Sequence, residues 1–123
     1  MKINFHLLLG LLVLAGCSDF DEQKLVGKWV ATEVVEGGRP LDIDLSPVGF
    51  EFSADGNYHF TSTIKYEEAG TYFVDGTYLY TLDTLNEASS EKAVEINCLE
   101  DNQLILHMKA NGKDKVIKLK RDE

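Results

Sequence analysis

Cysteine is almost missing from this chain of 123 residues: there are two, Cys17 and Cys98. If Cys17 is modified as its N-terminal context described below implies, Cys98 is the only free thiol and no internal disulfide is possible. Cations are scarce as well. Twelve Lys and Arg stand against 21 Asp and Glu, a net charge of −9. Nucleic acid is excluded as a partner, because phosphate backbones require concentrated positive charge. The one basic cluster is a short C-terminal alternation of Lys115, Lys118, Lys120 and Arg121. No apolar run reaches the roughly 20 residues of a membrane span. A sustained 3.6-residue period is absent too, which argues against a helical fold. G-x-S-x-G, Walker and H-E-x-x-H motifs do not occur, so no catalytic residue and no cofactor is expected. His59 and His107 fall on different candidate strands, and a metal site needs three or four convergent ligands. Asp42, Asp44 and Ser46 alternate like the opening of a calcium loop. Pro47 stands where that loop needs glycine, so no metal is expected there either.

What the sequence does contain begins with its first residues. Lys2 is followed by an apolar run from Ile3 to Leu14 and then by small residues, the pattern of a secretory signal. Leu14-Ala15-Gly16-Cys17 resembles the lipobox of bacterial lipoproteins. The resemblance implies a signal peptide over 1–16, cleavage before Cys17, and diacylglyceryl attachment to that cysteine. Two or more acyl chains hold a domain stably at a membrane. The expected location is therefore the bacterial envelope, anchored to the outer membrane and facing either periplasm or exterior. Residues 17–24 read as an acidic tether with Asp19, Asp21 and Glu22. These acids resemble the surface-export signal of Bacteroidetes lipoproteins, or serve as a solvated linker. Seven residues from Ser18 to Lys24 reach at most about 25 Å, so the domain stays close to its membrane.

From Leu25 onward the apolar runs are short, β-branched or aromatic, and bounded by turn residues, which predicts an all-β domain. Candidate strands cover Leu25–Val35, Gly49–Ser53, Asn57–Ile64, Gly70–Phe73, Thr77–Leu82, Lys92–Leu99, Gln103–Lys109 and Lys115–Lys120. Eight strands with short connections predict a closed antiparallel up-and-down barrel over 25–121, with an open sandwich as the alternative. Alternate loops of a meander share an end. The tight turns at Asp55-Gly56, Asp75-Gly76 and Glu100–Asn102 then gather at one end. Glu36–Val48, Lys65–Ala69, Thr84–Ser90 and Ala110–Asp114 gather at the other, loop-rich end.

Both Asp-Gly pairs are read as three-residue loops with glycine in the left-handed position. In the first hairpin Phe52 then faces Tyr58, and Phe50, Phe52, Tyr58 and Phe60 share the inner face. In the second, Tyr72 faces Tyr78, and Tyr72, Tyr78, Tyr80 and Leu82 share it. A slip of one residue would turn each set outward. Cys98 alternates with Val94 and Ile96 and reads as a small buried hydrophobe.

Gly27-Lys28-Trp29 on the first strand resembles the G-x-W of lipocalins. Leu25 to Trp29, Phe52-Ser53-Ala54-Asp55-Gly56-Asn57-Tyr58 and Gly70-Thr71-Tyr72 together resemble small bacterial lipocalin-like lipoproteins. The resemblance implies that Gly27, Trp29 and Arg121 close the barrel, with the arginine packed over the indole. It covers nearly the whole of the chain after the leader. The T-D-Y motif of the family is missing, and the barrel region is shorter than a lipocalin's.

Two readings of the inner aromatics follow. Trp29, Phe50, Phe52, Tyr58, Phe60, Tyr72, Tyr78 and Tyr80 form either a packed barrel core or an apolar cup whose tyrosine hydroxyls orient a ligand. The first expectation is a membrane-anchored, non-enzymatic binding protein for a small apolar or amphipathic molecule, with Glu36–Val48 as its lid. The alternative is an interaction or inhibitor module of the envelope with a solid core and an unidentified protein partner. A filled or a hollow interior separates them. The short tether further predicts that the closed end faces the membrane and the loop-rich mouth faces water.

Overall fold

The computed structural model describes residues 20–122. The apolar leader, the lipobox with Cys17, and the first residues of the tether lie outside them. Nine strands occur among the described residues: β1 (Gly27–Glu36), β2 (Arg39–Pro40), β3 (Gly49–Phe52), β4 (Asn57–Thr61), β5 (Glu67–Asp75), β6 (Tyr78–Asp83), β7 (Lys92–Glu100), β8 (Gln103–Ala110) and β9 (Lys113–Arg121). Each long strand pairs antiparallel with its neighbour, and β1 pairs with β9 to close an eight-stranded barrel. The two-residue β2 hangs on the far end of β1. Closure removes the exposed strand edges that an open sandwich would leave.

The interior follows from period-two alternation. Trp29, Ala31, Phe50, Phe52, Tyr58, Tyr72, Leu79, Val94, Ile96, Leu104, Leu106, Ile117 and Leu119 are buried within one contiguous core. Full burial of a large apolar side chain stabilises by about 1.5–3 kcal/mol, so these residues carry the fold. Two bulges reset the alternation. One, in β1 between Ala31 and Glu33, brings Val34 inward. The other, in β7 between Ile96 and Cys98, brings Leu99 inward and turns Cys98 out. Cys98 is therefore not the buried hydrophobe that plain alternation predicts; its thiol lies 3.6 Å from Gln103 Oε1.

The first Asp-Gly hairpin has the predicted register, with Phe52 opposite Tyr58 and Phe50 opposite Phe60. The second does not. Asp75 pairs with Tyr78 and Phe73 with Tyr80 across the two-residue loop Gly76-Thr77. The partner of each β5 residue thus moves by three positions, an odd number, which puts Leu79 and Thr81 inside and sends Tyr78 and Tyr80 to the outer wall. There Tyr80 stacks on Phe73 at 4.9 Å, and Tyr78 is 41% exposed. Strand β5 also begins three residues earlier than its sequence pattern suggested, at Glu67 instead of Gly70.

The closed end is built around Trp29. Its indole Nε1 donates to the Leu25 carbonyl at 2.8 Å, and the Arg121 guanidinium lies 4.2 Å above the ring centroid. That guanidinium also donates to the carbonyls of Val26, Lys24 and Asp101 at 2.7, 2.6 and 2.8 Å. Gly27 is required beneath it. Its φ of +131° disfavours any side chain, and a Cβ would stand 2.7 Å from Arg121 Nη1. A 3-10 turn over Glu22–Leu25 plugs this end with the fully buried Leu25. Phe20 N donates to Gly76 O at 3.2 Å, and Val74 N donates to Glu22 Oε1 at 2.8 Å. The second half of the segment read as a solvated tether is thus packed onto the barrel floor.

Candidate functional site

At the opposite end the core stops short of the rim. A cavity of about 350 Å³ opens there, with Phe50, Phe60, Leu79, Val94, Met108 and Ile117 as its apolar lining. Ser62 and Tyr66 come from the β4–β5 loop, and Leu41 and Leu45 of the β2–β3 loop pack against the neighbouring core. Phe50 and Phe60 meet at 4.6 Å between ring centroids, and Phe60 meets Tyr66 edge-on at 6.3 Å.

The polar part of the wall is centred on Glu68. Its side chain is only 8% exposed. Tyr58 Oη donates to Oε1 at 2.9 Å, while Tyr66 Oη and Lys92 Nζ donate to Oε2 at 2.7 and 3.0 Å. Burial by itself pushes this carboxyl up. Donation from Tyr66, Lys92 and Tyr58, with the charge of Lys92, outweighs it and holds the group below the usual glutamate range. The phenols respond in the opposite sense. Burial, then donation to Glu68, holds Tyr58 far above the ordinary phenol range. Tyr66 is pushed up to about 12, chiefly by its hydrogen bond to Glu68. At neutral pH the network is one carboxylate, one ammonium and two neutral phenols.

Three buried polar residues occur among those described, Glu68, Thr81 and Asp83, and the first two line this cavity. Asp83 has a structural role instead. Its carboxylate accepts from Ala69 N at 3.3 Å and from Asn86 N and Nδ2 at 3.2 and 2.6 Å, which orders the β6–β7 loop. Two wider depressions, of about 400 and 600 Å³, lie along the outer wall beside Pro47 and Thr61. Neither is lined by a buried polar side chain, so the mouth is the better-built site. Among the described residues no three His, Cys, Asp or Glu side chains converge as a metal site would require.

The sequence-derived candidates divide by height in the barrel. Phe50 and Phe60 line the cavity. Trp29, Phe52 and Tyr72 lie deeper, in the closed half, where Tyr72 Oη donates to Ser53 O at 2.8 Å. Tyr58 reaches the mouth through its hydroxyl alone. Tyr78 and Tyr80 are outside the barrel and take no part. Sequence reasoning missed Glu68, Tyr66, Lys92, Lys109 and Lys115, all of which line the mouth. The available signal was alternation carried back from the core: Tyr72, Gly70, Glu68 on one strand; Ile96, Val94, Lys92 on another; Leu119, Ile117, Lys115 on a third. Placing Glu68 in a loop hid the first of these.

The sequence matches no protein-family profile and no curated protein. Solved structures do match. A lipocalin-like protein from Bacteroides uniformis ATCC 8492 aligns with a TM-score of 0.61 and 15% identity, over 80% of this chain and 99% of that one. An uncharacterized protein from Bacteroides eggerthii DSM 20697 aligns with a TM-score of 0.53 and 17% identity, over 76% and 98%. At such identities the likeness concerns fold alone, and it agrees with the eight-stranded closed barrel. The chain therefore has the lipocalin-like fold, a closed eight-stranded antiparallel barrel, in common with these bacterial proteins.

Proposed function

We propose that this protein is a lipid-anchored, non-enzymatic binding protein that takes one small amphipathic molecule into the open end of its barrel. The observation that carries the reading is the mouth cavity of about 350 Å³, apolar on most sides and polar at Glu68 and Lys92. Ligand sites are typically concave, largely apolar, and provided with a few placed polar groups. A solid interaction module would have its interior filled to both ends. The filling here, by Trp29, Phe52, Leu104, Leu106 and Leu119, belongs to the closed half. Anchoring rests on the lipobox-like Leu14-Ala15-Gly16-Cys17. It is supported by the position of Phe20, three residues after Cys17 and hydrogen-bonded to the floor at Gly76.

Displacement of an apolar fluorescent probe tests the binding reading. Uptake is expected in the parent and is lost in Met108→Trp, whose larger side chain fills the cavity. Equal uptake by that variant would move the ligand elsewhere. Membrane fractionation tests the anchor. Cys17→Ala should release the protein from the membrane fraction, and continued sedimentation would refute lipid attachment.

A further inference from the structure

Tyr78 and Tyr80, which plain alternation places in the core, stand on the outer wall, and they are not isolated there. Tyr80 stacks on Phe73 at 4.9 Å between ring centroids and lies 6.4 Å from Tyr78. Phe73 is 42% exposed and Tyr78 41%. Ile43, Ile64 and Leu85 are exposed as well, but singly, on three different loops at the mouth. The wall directly across the barrel, made by β1 and β9, presents Lys28, Thr32, Lys118 and Lys120. One side of the barrel therefore carries three adjoining aromatic rings, and the side facing away from it is polar. Contiguous exposed apolar surface of this kind marks a contact face, whereas single exposed side chains do not.

The strip starts where the chain enters the fold. Tyr78 pairs with Asp75 across the Gly76-Thr77 loop, and Phe20 N donates to the carbonyl of that same Gly76 at 3.2 Å. Glu22 Oε1 accepts from Val74 N on the adjoining strand. Cys17 precedes Phe20 by three residues, so it lies within roughly 10 Å of it. Tyr78 is two residues from Gly76, about 7 Å along a strand. A lipid on Cys17 thus enters its bilayer beside the aromatic strip and far from the polar wall.

We infer that Phe73, Tyr78 and Tyr80 form a membrane-docking face: the barrel leans on its β5–β6 wall, with these rings seated in the interface of the bilayer that holds its own lipid. This rests on the anchor proposed above and goes beyond it, since an acyl chain sets a distance to the membrane but not the side of the barrel that meets it. Tyrosine suits the interfacial layer, where its ring is covered and its hydroxyl stays wet. Charge selects the surface. Asp75 and Glu95 are the cross-strand neighbours of Tyr78. Two carboxylates beside the ring favour neutral, zwitterionic head groups and oppose anionic ones.

Fluorescence quenching by brominated phosphatidylcholine, with the lipidated chain reconstituted in vesicles, tests the inference. Tyr78→Trp and Lys120→Trp each add one indole near the floor, on opposite walls, to the Trp29 that all forms share. The emission added at position 78 should be quenched several-fold more than that added at 120. Adding Phe73→Ser and Tyr80→Ser to Tyr78→Trp should lower the quenching to the level seen at 120. Flotation with the vesicles, which Cys17 carries, should persist in that variant, and an unchanged thermal midpoint shows that its barrel is intact. Quenching at 78 should also be stronger in phosphatidylcholine than in mixtures rich in phosphatidylglycerol, and a reversed order overturns the neutral interface. Equal quenching at 78 and 120 means an upright barrel and overturns the docking face. Quenching that survives the two serine substitutions comes from nearness to the anchor alone and overturns it too. A blue-shifted but unquenched indole at 78, whose shift fades as the protein is diluted with lipid, means that a second copy covers the strip. That result also overturns the bilayer as occupant. In each of these cases flotation of the parent leaves the anchor standing, whereas a parent that does not float overturns the anchor and this inference with it.

Discussion

Arg121 engages three backbone carbonyls and the face of Trp29 at once, from the last residue of the last strand. Its planar fork makes this possible, and a lysine could satisfy only part of it. Arg121→Ala is expected to cost about 2 kcal/mol, and Arg121→Lys to recover less than half of that, as read by urea denaturation. Full stability in the alanine variant would show that the floor closes without the stack. Glu68 gives a pH signature. Its carboxyl is held below its unfolded value of about 4.3, so its stabilisation is complete above that pH. The contribution is lost as pH falls through the lower, folded value. Glu68→Gln should destabilise by about 1–2 kcal/mol at pH 7 and by progressively less below pH 4. A parallel offset between parent and variant across that range would mean that Glu68 is not ionised in the fold. Neither residue's partners are adjacent to it in sequence. The arginine was legible through a family pattern, whereas Glu68 had no such signal.

The two Asp-Gly hairpins show how one turn signal yields two registers. In the first, Ser53 Oγ donates to Asp55, Asn57 N donates back to Ser53 Oγ at 3.1 Å, and Asn57 Nδ2 donates to Asp55 Oδ1 at 3.1 Å. These bonds clip a three-residue loop. Phe73 and Thr77 occupy the equivalent places in the second hairpin and cannot form the clip. The chain instead closes one residue tighter, with left-handed φ at Gly76 but not at Thr77. That is the glycine-first pattern of a two-residue hairpin. Strand β5 has its own constraint at Gly70, where a Cβ would overlap the Leu82 carbonyl oxygen and stand 2.9 Å from Thr84 N. Gly70→Ala should cost about 3 kcal/mol, a fall of roughly 10 °C or more in Tm. Gly76→Ala should cost about 1 kcal/mol through its left-handed φ of 65°. Calorimetric scans of both variants check the order, and a reversed order would refute the backbone contact at Gly70.

At the scale of the molecule the barrel has a packed end and a hollow one, and the chain enters at the packed end. Phe20 and Glu22 are tied to the β5–β6 hairpin, so an anchor at Cys17 would hold the floor against the bilayer. In a Cys98→Ser background, a cysteine placed at Ser89 in the mouth loop should react with a soluble maleimide several-fold faster than one at Ala54. The comparison is between protein on membranes and protein in detergent. Equal protection at both positions would refute the orientation.

The closing residues Gly27, Trp29 and Arg121 were legible through a family resemblance. The eight barrel strands, their order and the distribution of loops between two ends were determined by the sequence alone. Each depends on information within a few residues: period-two alternation, turn chemistry, and the length of each connection. The inward Phe50, Phe52, Tyr58 and Phe60 were legible for that reason. Tertiary structure decided the phase of β6, the outward turn of Cys98 and the empty upper half of the barrel. It also decided the meeting of Glu68, Tyr58, Tyr66 and Lys92. Those outcomes depend on how strands distant in sequence share register and on the volume left between them, and neither quantity is carried by any one segment.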